Sequence, residues 1–187
     1  MRRRLLTIGI ALLAALPLAR GVEIGGVRLD DRVALGGQEL VLNGAGIRTR
    51  FMFKVYVGAL YLPAKAGDLA GVLAKAPRRI QLTMLRDLGA DDLVGALVDG
   101  LKQNSTTDEL AALKPQTEQL VAVMKSIGEV KTGGVVTIDF DGNETRVGYD
   151  GAAKGSIAGA SFNAALMKIW LGDKPAQADL KQAMLGK

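Results

Sequence analysis

Residues 40–62, LVLNGAGIRTRFMFKVYVGALYL, decide how the rest of the chain is arranged. Their second half reads in period two. Phe51, Phe53, Val55, Val57, Ala59 and Tyr61 point one way, and Met52, Lys54, Tyr56, Gly58, Leu60 and Leu62 the other. Aromatic and aliphatic residues fill both sets, which predicts a long strand buried on most of both faces. The first half is extended too, and Asn43, Gly44, Ala45 and Gly46 keep its side chains small, so that another backbone or a ligand can come close. The stretch therefore predicts two long strands with a tight reversal near residues 49–51, which brings Arg48 beside Lys54 and Tyr56.

Upstream, Arg2, Arg3 and Arg4 precede an apolar run over residues 5–18, and Ala19 and Gly21 supply small residues before Val22. That is the pattern of a secretory signal peptide over residues 1–21. Its apolar run is shorter than the ~20 residues a membrane span needs. Cleavage leaves residues 22–187 as one domain, located in the periplasm or secreted, with no stable membrane span. The leader also carries much of the positive charge. Without its four arginines, 20 basic residues face 19 acids, a net of +1, and a nucleic-acid role loses its support. The chain has neither His nor Cys, so it lacks disulfides, thiol nucleophiles, imidazole bases and the usual soft-metal ligands. We expect no metal and no cofactor.

Around the central hairpin, residues 22–29 predict a short strand pair broken at Gly25 and Gly26. A short helix is expected over residues 67–76 and a third strand over residues 79–86. A helix follows over residues 90–103, with Leu93, Leu97 and Leu101 on one face. Thr107 is the expected N-cap of the next helix, and Pro115 opens another that stops at Gly128. Residues 135–140 and 144–149 flank a hairpin turn at Asp141, Gly142 and Asn143, and residues 154–157 add a short strand. A helix capped by Ser161 carries Phe162, Leu166, Ile169 and Trp170, and a terminal helix ends near Met184. Strands grouped with blocks of helices predict an α+β fold, an antiparallel sheet with helices on one face.

Two blocks resemble the chalcone isomerase family, in particular its bacterial chalcone isomerase-like members. One is NGAGIR followed by FKVYVGALYLP; the other is GSIAGASFNAALMKIWLGDKPAQADLK over residues 155–181. The resemblance implies an open-faced sandwich of a large antiparallel sheet and a helical layer, with an apolar ligand cleft between them. It also implies that Arg48, which follows Gly-Ala-Gly-x, is the ligand-binding arginine. In the family's enzymes this arginine binds and polarises the chalcone; in its fatty-acid-binding members it grips a carboxylate. The enzymes' threonine on the return strand corresponds to Tyr56. Their helical tyrosine and asparagine correspond to Leu93 and Gly100, and the polar residue of the C-terminal helix to Ile169, beside Trp170.

From the residues alone, Arg48 lies in an apolar stretch where an unpaired guanidinium is costly; it reaches water, pairs with a carboxylate, or meets an anionic ligand. Tyr56 and Trp170 also have a plain reading as core aromatics. Isomerisation needs positioned donors to a developing enolate, and Leu93 and Ile169 donate nothing. The expected site is thus Arg48, Tyr56, Ile169 and Trp170, without catalytic residues, binding a fatty acid or similar lipophilic anion. The alternatives are an isomerase (an intramolecular lyase) acting on an unidentified enone-like substrate, and an accessory protein that binds a partner.

Overall fold

The computed structural model describes residues 21–187, so the leader expected over residues 1–21 lies outside the described residues except for Gly21. Two short strands, β1 (Gly21–Ile24) and β2 (Val27–Asp30), form a separate hairpin. Seven strands then build one antiparallel meander in sequence order: β3 (Arg32–Leu35), β4 (Gln38–Arg50), β5 (Phe53–Leu62), β6 (Arg78–Met84), β7 (Val135–Phe140), β8 (Glu144–Tyr149) and β9 (Ala152–Ala158). Six helices are inserted: α1 (Leu69–Leu73), α2 (Ala90–Asn104), α3 (Thr107–Ala112), α4 (Lys114–Ile127), α5 (Ala160–Leu171) and α6 (Ala178–Met184). The fold is α+β.

The period-two reading of β5 explains its two-sided burial. Tyr56, Leu60 and Leu62 join the main core between the sheet and the helices, together with Leu97 of α2, Met124 of α4 and Trp170 of α5. Val57, Ala59 and Tyr61 face the other way, into a smaller core that the β1–β2 hairpin covers with Leu29. Burial fades toward the turn, where Phe53 and Lys54 are exposed.

Several local expectations shift. The reversal falls on Phe51 and Met52, at φ 50° and 68°, at the late edge of the expected 49–51 window and one residue beyond it. The strand β3 was not anticipated; its four residues are paired to β4 through the turn at Gly36 and Gly37. Thr106, not Thr107, caps α3, because Thr106 and Glu109 form a reciprocal capping box. Ser161 does not cap α5, which begins after Gly159 at φ 114° without a side-chain cap.

The small residues of β4 admit another backbone. A Cβ on Gly44 would lie 2.1 Å from the Ala183 carbonyl oxygen, and one on Gly46 2.8 Å from the Ala183 Cβ. Asn43 fastens the same contact. Its side-chain amide donates to the carbonyls of Met184 (2.8 Å) and Ala66 (3.0 Å), and its oxygen accepts from the Ala66 N–H (2.7 Å). The chain's last helix is thereby clamped onto its first long strand.

Candidate functional site

The β4–β5 register places Arg48 directly opposite Tyr56, and both line a cleft of about 730 Å³ between sheet and helices. Leu82, Val136 and Ile138 of the sheet form one wall; Leu93 and Leu97 of α2 and Ile169 of α5 form the other. All six are buried. They are apolar because strands and helices facing a shared core must bury that face, and they close the inner end of the cleft, while its outer lining is charged, with Arg50, Arg86, Asp87, Asp91, Asp92 and Asp99.

Tyr56 and Trp170 act as a pair. The Trp170 Nε1–H donates to the Tyr56 hydroxyl oxygen at 2.9 Å, and Trp170 is 1% exposed. Burial pushes the Tyr56 phenol above its ordinary pKa; the Trp170 hydrogen bond and the nearby Arg48 charge oppose this only in part. The phenol therefore keeps its proton at neutral pH. With its oxygen already accepting from Trp170, it has one O–H left to donate.

Arg48 is half-buried. Its Nη1 donates to the Thr49 carbonyl at 3.0 Å and reaches the Gln177 Oε1 at 3.5 Å, a long contact. Beyond these and the Tyr56 oxygen, it meets no acceptor and no carboxylate among the described residues. Gln177 was not foreseen from the sequence. It is the N-cap residue of α6, and its Oε1 accepts from the Thr49 N–H at 2.8 Å, which fixes the end of β4 from 128 residues away.

The structure thus gathers Arg48, Tyr56, Ile169 and Trp170 around one cleft. The positions matched to the family's tyrosine and asparagine line it as well. Leu93 adds apolar surface, and Gly100 is hard against α5: a Cβ there would lie 2.8 Å from the Ile169 Cγ2. Ile169 fills the space a side chain at position 100 would need. Lys54 lies opposite Thr49, exposed, outside the cleft lining. No group of acids among the described residues is placed to hold a metal, and no described helix is long and apolar enough to cross a membrane.

Comparison with known proteins follows the same lines. A crystal structure of a fatty-acid binding protein from Arabidopsis thaliana matches with a TM-score of 0.70, over 89% of this chain and 96% of that one, at 13% sequence identity. At that identity the likeness speaks for the fold. No curated protein sequence matches the chain significantly. The family model described as chalcone isomerase-like matches residues 21–186. The meander, its helical layer and the cleft between them are those of that fold, and the chain belongs to the chalcone isomerase-like family.

Proposed function

We propose that this protein is a non-catalytic binder of a fatty acid or similar lipophilic anion. The observation that carries the reading is the incomplete coordination of Arg48 at a cleft whose inner wall is apolar, beside a phenol with a proton to donate. A carboxylate set there takes a charge-assisted hydrogen bond from Arg48 and a neutral one from Tyr56, and its chain lies along Leu82, Ile138, Leu93 and Ile169. The cleft falls within the roughly 300–1,000 Å³ common for small-molecule sites. The fatty-acid binding function of the structurally similar Arabidopsis protein supports the same ligand class.

Isomerisation is the weaker reading. Leu93 and Ile169 present no donor, and Gly100 cannot be given one without moving Ile169. Titration of the purified protein with a long-chain fatty acid tests the proposal. Saturable binding that Arg48→Ala weakens tenfold or more is the expected result, and affinity unchanged by that substitution counts against it.

We also propose export, on the strength of the leader pattern in residues 1–21. N-terminal sequencing of material from the extracytoplasmic fraction should begin at or near Val22. An intact Met1 on membrane-bound protein is the contrary result.

A further inference from the structure

Four large apolar residues are exposed among the described residues, and three of them are consecutive: Phe51 (81%), Met52 (96%) and Phe53 (61%), at the tip of the β4–β5 hairpin. Phe51 and Met52 hold left-handed backbone conformations, which disfavour bulky side chains and suit Asn or Gly. Folding alone would select against this turn. Cations surround it. The Arg50 guanidinium stacks 5.4 Å from the Phe51 ring and the Arg86 guanidinium 4.8 Å from the Phe53 ring, while Lys54 is exposed alongside. Arg50, Lys54 and Arg86 pair with no carboxylate among the described residues.

Of the four acids that line the cleft, Asp87 and Asp91 are paired, while Asp92 and Asp99 have no basic partner among the described residues. Asp87 binds Lys131 at 3.1 Å and Thr132, and Asp91 stands 3.7 Å from Lys125. Asp92 sits in the first turn of α2, where the helix dipole favours it. The tip is continuous with the cleft, since Arg50, Phe51, Phe53 and Arg86 line its mouth.

We propose that the β4–β5 tip docks on the surface of an anionic lipid bilayer. Phe51, Met52 and Phe53 enter the boundary between headgroups and acyl chains, and Arg50, Lys54 and Arg86 meet lipid phosphates. The mouth of the cleft then opens at the membrane. This use of the surface rests on the proposed lipophilic ligand, but docking itself does not require one.

The test is co-sedimentation of ligand-free protein with vesicles of phosphatidylcholine, alone or mixed with phosphatidylglycerol. The double variant Phe51→Asn/Met52→Gly installs residues that favour the turn, so its melting temperature should be maintained or raised. Its partition onto the mixed vesicles should fall tenfold or more. Arg50→Gln/Arg86→Gln should lower partition onto the mixed vesicles by about twenty-five-fold, at about fivefold per charge, and leave phosphatidylcholine binding alone. Wild type and variants share the same N-terminus, so these differences read the tip. Equal partition of wild type and the Asn-Gly variant overturns the proposal. So does tip-dependent self-association without vesicle binding, which makes the tip a protein contact. Fatty-acid titration without vesicles reads the ligand separately, so the two ideas fail independently.

Discussion

Two arginines that are not fully exposed, Arg78 and Arg48, lack a carboxylate partner among the described residues, and they are solved in opposite ways. Arg78 is 3% exposed and four of its five N–H groups are paired. Its Nε and Nη2 donate to the Asn163 Oδ1 at 3.0 and 2.6 Å, and its Nη1 donates to the carbonyls of Leu73 (3.2 Å) and Lys75 (2.6 Å). The Phe140 ring lies 4.2 Å away, and Asn163 is itself anchored on Thr145 at 3.0 Å. Burial pulls the Arg78 pKa down to about 10, which still leaves it charged at neutral pH. Arg48 has one good acceptor, one long one, the Tyr56 oxygen nearby, and a cleft beside it. A buried cation held by several neutral acceptors is structural; a half-buried one with an open set fits the anionic ligand proposed above.

If that contrast is right, the largest effect belongs to Arg78. Arg78→Ala strands the Asn163 oxygen and two carbonyls and should cost about 3 kcal/mol or more. Thermal melting should show a fall on the order of 10 °C, with fatty-acid affinity per folded molecule unchanged. A mild effect would mean that water readily replaces the guanidinium.

Arg48→Ala should do the reverse. It should leave the melting temperature nearly unchanged and weaken fatty-acid binding by roughly ten- to a hundredfold, since a charged hydrogen bond contributes ~1.5–3 kcal/mol. Arg48→Gln should fall between wild type and Ala. A melting loss like that of Arg78→Ala would erase the distinction.

Tyr56→Phe should affect stability less than Arg78→Ala does and affinity less than Arg48→Ala does. It removes one neutral donor to the ligand, a loss of several-fold in affinity, and leaves the buried Trp170 N–H without its acceptor, at about 1–3 kcal/mol. Differential melting and titration on one preparation separate the two parts.

The smallest effect is confined to alkaline pH. Tyr56 and Tyr61 are both raised from the ordinary 10.0, Tyr61 to about 12, each chiefly by burial. An acid whose folded pKa is raised contributes stability that is complete below the unfolded value and is lost as pH rises through the folded one. Denaturant midpoints should therefore be insensitive to these groups below pH about 10 and fall between there and about pH 12. Tyr61→Phe should flatten that decline; an unchanged slope would assign it to other groups.

What could be read from the sequence follows the range of the physics involved. The β4–β5 pairing, and with it the meeting of Arg48 and Tyr56, was legible because alternation and register are local. So was the β7–β8 hairpin, whose Asp141, Gly142 and Asn143 announce their own turn. The reversal at Phe51 and Met52 was legible only to within a residue or so, because neither residue favours the conformation it adopts. Thr106 was passed over because its neighbour is an equally good cap by type, and only the reach to Glu109 separates them. The pairing of Trp170 with Tyr56 spans 114 residues and that of Gln177 with Thr49 128, and no local pattern encodes either. Completion of the α2–α5 contact by Ile169 against Gly100 is likewise visible only as shape.

The Asn43 clamp bears on when the protein can finish folding. Its bond to Met184 joins residues 141 apart, and Gly44 fits only against the carbonyl of Ala183. While a ribosome is still making the chain, β4 has no α6 to cover it and Arg48 has no Gln177 beside it. The arginine end of the cleft is assembled only after residues 177–184 have been made, and a chain cut before them lacks the clamp.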